Sequence, residues 1–260
     1  EKALDSLEGF EGSVGLMGGE PTLHPKFDEI CKLYQKYLPV ERREFWTSGF
    51  QWRKKQDIIL ETFDKSKITY NEHSTPGGKH APLLVSIDEV VEDKKMMWQM
   101  IDNCWIQSQW SASITPKGGF FCEVAASLDY LFDGPGGYEI KKGWWKKDPK
   151  DFQDQVKRYC VNCSGALPLK TESDGFGGRE GPAYDTVSKK NLEKLLKVKS
   201  PKAEAGHYKI FDKKFSSKDL VNNLEDWNPS HFKSFVSHGP NDYDKGDIER
   251  KVDNSKSGKI

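Results

Sequence analysis

The sequence predicts an α/β fold in two parts: a parallel sheet with its helices, then a small domain built from one β-hairpin and short helices. Three observations carry that reading. Residues 12–75 alternate strand and helix patterns. Residues 96–163 hold 12 Phe, Trp and Tyr, about 18% against 12% overall, so this stretch has a core of its own. Four of the five cysteines fall between 104 and 163. The predicted divisions are 1–75, 76–170 and a C-terminal extension over 171–260.

The elements follow in order. Glu1 to Phe10 reads as the end of a helix. Ser13 to Met17 is a short apolar run that stops at Gly18-Gly19, a strand entering a glycine turn. Leu23, Phe27, Ile30, Cys31, Tyr34, Tyr37 and Leu38 keep helical spacing, with Pro25 in the first turn and Pro39 as the stop. Glu44 to Thr47 reads as a strand ending at Ser48-Gly49, Arg53 to Phe63 as a helix and Lys67 to Asn71 as a third strand. Strand–helix–strand–helix–strand over so short a span is the pattern of a parallel sheet. Ligands of such sheets bind at the carboxyl ends of the strands. Here those ends are Gly18-Gly19-Glu20, Thr47-Ser48-Gly49 and Asn71-Glu72-His73.

Residues 76–100 read as a transition, with an extended apolar stretch from His80 to Val91. Ser111–Thr115 and Gly119–Glu123 flank Pro116-Lys117-Gly118, which predicts a β-hairpin. Val124–Phe132, Pro149–Tyr159 and Ser188–Leu196 read as helices. Gly134 to Gly137 and Asp174 to Gly181 read as loops. The end, Asn241 to Ile260, is polar and expected to be disordered.

Composition excludes several function classes. Lysine plus arginine is 40 and aspartate plus glutamate is 40, so the net charge is zero. That argues against a nucleic-acid surface and a polybasic membrane anchor. No run approaches ~18 apolar residues, so no membrane span is expected. No apolar leader core stands near the start, which gives a cytoplasmic location. The chain opens on Glu1 rather than Met, and an incomplete N-terminus is expected.

Two groups of residues carry chemistry. Gly18-Gly19-Glu20-Pro21 closes the first strand. A glycine pair lets a ligand approach the backbone, and Glu20 is able to accept from an ammonium. The same four residues also suit a plain strand–helix turn. The second group is Cys104-x17-Cys122-x37-Cys160-x2-Cys163. Four thiolates suit zinc or a 4Fe–4S cluster, and buried cysteines without a metal are the third possibility. Zinc ribbons usually carry two Cys-x-x-Cys knuckles, and this chain has one. An odd cysteine count makes a disulfide scaffold unexpected, and Cys31 reads as core packing on a helix.

Val14 to Pro25, with Gly18-Gly19-Glu20-Pro21 at its centre, resembles the GGEP segment of radical S-adenosylmethionine (radical SAM) enzymes. The resemblance implies a partial (β/α) barrel. It also implies that Gly18, Gly19 and Glu20 hold the methionine part of S-adenosylmethionine, with Pro21 shaping the turn. Thr47-Ser48-Gly49 sits where that family often has Thr-Asn-Gly, which makes Ser48 a cofactor-facing candidate and Asn71 a weaker one. For both, an ordinary loop polar residue is the other reading.

Ile114 to Cys122 and the order of the four cysteines resemble the twitch subdomain, the short relative of SPASM. That resemblance implies one auxiliary 4Fe–4S cluster on Cys104, Cys122, Cys160 and Cys163, with an electron-transfer role. It implies an oxidoreductase that abstracts hydrogen through a 5′-deoxyadenosyl radical. The substrate would be a small molecule or a peptide, and the electron donor external, such as flavodoxin or ferredoxin.

The family's Cys-x-x-x-Cys-x-x-Cys motif, which holds the catalytic cluster, is not in this sequence. The chain by itself is therefore expected to be inactive. The two resemblances together cover residues 1–170. Asp102, Glu123 and Asp129 are candidate proton acceptors. Trp105, Trp110, Trp144 and Trp145 either line a pocket or shield a cluster. His207, His231 and His238 are too scattered for a metal site. The alternative function is a non-enzymatic zinc-binding interaction module.

Overall fold

The computed structural model describes residues 1–70, 82–104, 112–147, 149–167, 169 and 184–216. They fall into two compact units, the first holding residues 1–70 and the second the rest of the described residues. Asn71, Glu72, His73, Trp105, Trp110, His231, His238, the loop 174–181 and the tail 241–260 lie outside the described residues.

The first unit opens with α1 (Lys2–Asp5), then β1 (Val14–Leu16), α2 (Phe27–Tyr37), β2 (Arg43–Thr47), α3 (Trp52–Thr62) and β3 (Ile68–Tyr70). The strands form one parallel sheet in the order β1-β2-β3. Val14 pairs with Arg43, and Phe45 pairs with Ile68. The alternation in β2 places Arg43, Phe45 and Thr47 on the buried face and leaves Glu44 and Trp46 half-exposed on the other. Phe27, Cys31 and Tyr34 of α2 form the helical stripe that meets this face. Phe45 stands at the centre, 5.8 Å from the Phe27 ring and 5.1 Å from Phe63.

Buried Arg43 binds the two helices to the sheet. Its guanidinium donates to Leu38 O at the end of α2 and to Thr62 O at the end of α3. Those carbonyls have no partner within their helices, so one side chain satisfies both C-termini.

The second unit contains β4 (Leu83–Leu84), α4 (Ile87–Val90) and α5 (Lys94–Asp102). The hairpin β5 (Ser113–Thr115) and β6 (Gly118–Phe120) follows, then α6 (Glu123–Leu131) and α7 (Gln153–Tyr159). The unit closes with β7 (Asp185–Val187), α8 (Lys189–Lys197), α9 (Pro201–Glu204) and β8 (Tyr208–Ile210). Here the structure departs from sequence expectation in three places. The stretch read as a transition forms two helices, with Asp93 capping α5 through Lys95 N and Met96 N. Its apolar residues Val85, Ile87, Val90 and Met100 are core. The hairpin turn is Pro116-Lys117 alone, since Thr115 pairs directly with Gly118. Residues 184–216 build most of a second parallel sheet, β4-β7-β8, within this unit.

The hairpin gains a third strand-like neighbour. Gly119 and Tyr138 exchange two backbone hydrogen bonds of 2.8 Å. A side chain at Gly137 would run into the Gly119 carbonyl, so this approach needs glycine. Along the same edge of β6 the fully buried Gln155 extends the ladder. Its amide donates to Gly119 O and accepts from Phe121 N.

The architecture is therefore mixed α/β with small sheets, and no closed barrel forms among the described residues.

Candidate functional site

In the first unit the chemistry lies at the carboxyl ends of β1 and β2. β1 ends at Leu16, and Gly18 takes φ +133, a conformation that L side chains rarely adopt. Nothing stands within 4 Å of where a Cβ would sit at Gly18 or Gly19, so both backbones are open to approach. Glu20 then caps a short 3₁₀ turn, Pro21–Leu23.

The Glu20 carboxylate collects donors from both strand ends. Oε1 accepts from Thr22 N (3.1 Å), Thr22 Oγ1 (2.6 Å) and Thr47 Oγ1 (2.9 Å). Oε2 accepts from Ser48 N and Ser48 Oγ, each at 2.6 Å. A carboxylate offers about four lone-pair sites, so these donors fill it. Burial pushes its pKa up, but the bonds from Ser48, Thr22 and Thr47 outweigh that, and the net value is below the ordinary 4.5. The structure thus brings Gly18, Gly19, Glu20, Pro21 and Ser48 together. Thr22 and Thr47 belong to the same group and were not singled out from sequence. Their signal was present: a threonine two residues after the cap, and another at the end of a strand.

In the second unit all four predicted cysteines pack against one core. Cys122 is buried among Phe120, Phe121 and Tyr159, and Cys104, Cys160 and Cys163 line the same cluster. Cys104 follows α5, and Cys122 is the residue from which α6 starts. Cys160 and Cys163 flank a single 3₁₀ turn after α7. No disulfide engages any of the five cysteines.

Burial pushes the Cys122 and Cys163 thiols up to about 12. Backbone N–H groups work against that rise: Val124 and Ala125 donate to Cys122, and Gly165 donates to Cys163 Sγ at 3.2 Å. Burial raises Cys160 further, with the neighbouring Cys163, Cys122 and Cys104 and then Asp102 adding to it. Thiols in such a setting stay protonated near neutral pH until a bound cation offsets the thiolate charge. Among the described residues no three His, Cys, Asp or Glu side chains stand in the geometry of a metal site. The four thiols share an interior without closing a coordination shell. Cys31 is fully buried in the other unit, as a packing residue should be.

A buried network supports the cysteine region. Asp129 of α6 is 0% exposed and pairs with Lys117 from the hairpin turn. It also accepts from Tyr159 Oη at 2.7 Å and Gly136 N at 2.9 Å. Burial raises the Asp129 pKa, yet these partners lower it further, and it stays ionised. This aspartate is committed to structure and is unsuited to accepting a proton. Trp144 is buried in the same hydrophobic core as Cys122. The His207 ring makes an edge contact with the Tyr184 ring, centroids 5.9 Å apart.

No protein-family model, no curated protein and no solved structure matches this chain. No described helix is long and apolar enough to cross a membrane.

Proposed function

We propose that this chain is part of a radical SAM enzyme with a twitch-like auxiliary iron–sulfur domain. The observation that carries the proposal is the tie between the Gly18-Gly19-Glu20 turn and Thr47-Ser48 across adjacent parallel strands. The residues that resemble the family's methionine-binding segment stand where a parallel sheet presents its ligand site.

The residues present fit S-adenosylmethionine at the first site. The open Gly18-Gly19 backbone offers polar groups that no side chain covers. Because Glu20 is already filled with donors, its work is to hold the two strand ends in register. A ligand ammonium would exchange with the Ser48 or Thr22 hydroxyl, each of which is able to turn away. S-adenosylmethionine held there would supply hydrogen-atom abstraction chemistry, one-electron reduction cleaving its C–S bond to methionine and a 5′-deoxyadenosyl radical.

The second site offers the donor set of an auxiliary 4Fe–4S cluster, four thiols in one interior, without a closed coordination shell among the described residues. Cys104, Cys122, Cys160 and Cys163 would hold it, and a bound cluster supplies one-electron transfer. The peptide N–H groups on Cys122 and Cys163 stabilise negative charge on sulfur. The aromatic wall of Phe120, Phe121, Trp144 and Tyr159 keeps water away. The substrate of this reading is a small molecule in preference to a peptide. Its reductant is an external electron donor such as flavodoxin or ferredoxin, and its setting is the cytoplasm.

The test is iron and acid-labile sulfide analysis after anaerobic reconstitution, with EPR of the reduced sample. About four iron and four sulfide per chain support the reading. About one zinc and no sulfide overturn it in favour of a zinc-binding interaction module.

A further inference from the structure

We infer that residues 184–197, which neither resemblance covers, complete the cysteine site by clamping the Cys160–Cys163 loop, with Asn191 as the positioning residue. The inference deepens the cluster reading above and rests on it for the role of the loop.

Asn191 lies on the inner face of α8 and is 0% exposed. Its Nδ2 donates to two carbonyls, Asn162 O inside the Cys160–Cys163 loop and Leu84 O in β4, both at 2.9 Å. One amide thus bolts the loop to the parallel sheet. The orientation is fixed, because a flipped amide would turn Oδ1 against both carbonyls. Lys194, one turn on, donates to Asn162 Oδ1.

A further buried hydroxyl holds the same loop, and a second holds the residue that carries it. Ser86 Oγ donates to Val161 O at 2.8 Å, and Ser188 Oγ accepts from Ser86 N at 3.1 Å. Just past the loop, Ser164 Oγ donates to Leu83 O at 2.6 Å. The Val161 and Asn162 carbonyls are therefore taken up by Ser86, just before α4, and by Asn191 of α8, while Cys160 O accepts from Cys163 N within the loop. A two-cysteine turn presents both sulfurs to one metal only while its backbone is held, and these contacts hold it.

The experiment compares the whole chain, metal-free, with Asn191→Ala, Lys194→Met and Asp185→Asn. Asp185→Asn breaks the Asp185–Lys202 pair at the opposite end of β7 and serves as the control for general destabilisation. Iodoacetamide labelling is followed residue by residue by mass spectrometry. Asn191→Ala should speed labelling of Cys160 and Cys163 by about tenfold, and Lys194→Met by about threefold, with Cys31 unchanged. Asp185→Asn should leave Cys160 and Cys163 at the wild-type rate. After anaerobic reconstitution, Asn191→Ala should retain about half the wild-type iron or less.

Wild-type labelling rates in both Asn191→Ala and Lys194→Met overturn the clamp, as does equal acceleration in Asp185→Asn. If the wild-type chain takes up no iron while Asn191→Ala still releases the two thiols, the cluster reading fails and the clamp stands.

Discussion

Glu20 and Ser48 are joined twice, through the Ser48 backbone N–H and through its hydroxyl, both onto the same carboxylate oxygen at 2.6 Å. The bond spans two loops that leave neighbouring parallel strands, and it fixes where the glycine turn stands against the end of β2. Glu20→Gln replaces one oxygen with an amide that repels the donors aimed at it. Hydrogen bonds to a charged acceptor contribute about 1.5–3 kcal/mol each when buried. For this half-buried carboxylate the expected loss is about 1–2 kcal/mol, read by urea denaturation. A loss under a few tenths would mean the carboxylate does not hold the strands.

The same carboxylate sets a pH dependence. Its folded pKa is below the ordinary 4.5, because the donors outweigh the burial that raises it. A group with a depressed folded pKa stabilises fully above its unfolded pKa and loses that contribution as pH falls through the folded value. The stability gap between wild type and Glu20→Gln should therefore be flat from pH 7 down to the ordinary value and close below it. A gap that stays constant into strong acid would show that Glu20 is not the titrating group.

Iron content separates the four predicted ligands from the fifth cysteine. Cys160→Ala and Cys163→Ala each remove one sulfur from the loop that α8 holds. After reconstitution each should retain well under the wild-type iron, while Cys31→Ala, in the core of the other unit, should match wild type. Unchanged iron in both loop variants would remove the twitch-like assignment.

How much of this was legible depends on how local the signal is. The first sheet was legible because Phe27, Cys31, Tyr34 and Leu38 repeat at helical spacing while β2 alternates residue by residue. Both periods are written within short windows. The Glu20 site was half legible: the glycine pair and Ser48 stand out in sequence, but the convergence of Thr22 and Thr47 on one carboxylate depends on parallel register. The sheet β4-β7-β8 was not legible. Leu83–Leu84 is too short to show a period, and its partners Thr186 and Val187 lie about a hundred residues away. Asn191 reads as a polar residue on a lysine-rich helix, and only the fold shows that it faces inward. Lys117 reads as part of a turn, since nothing local announces that its ammonium reaches a buried carboxylate on α6.

That pair yields the last prediction. Asp129 has no exposure, and Lys117 is its cationic partner among the described residues, with Tyr159 and Gly136 as neutral donors. Breaking a buried ion pair from one side strands the other charge and costs about 3–5 kcal/mol. Because the Lys117 side chain is 28% exposed, Lys117→Met should fall at the lower end, about 3 kcal/mol. Replacing both charges removes the stranded carboxylate, so Lys117→Met with Asp129→Asn should recover part of that loss. The amide keeps an acceptor for Tyr159 Oη, the residue next to Cys160, so the α6–α7 contact survives in the double variant. A double-mutant cycle by urea denaturation reads the coupling directly. Strict additivity of the two single losses would mean that the ammonium and the carboxylate do not stabilise one another, and that α6 is held to the hairpin by packing alone.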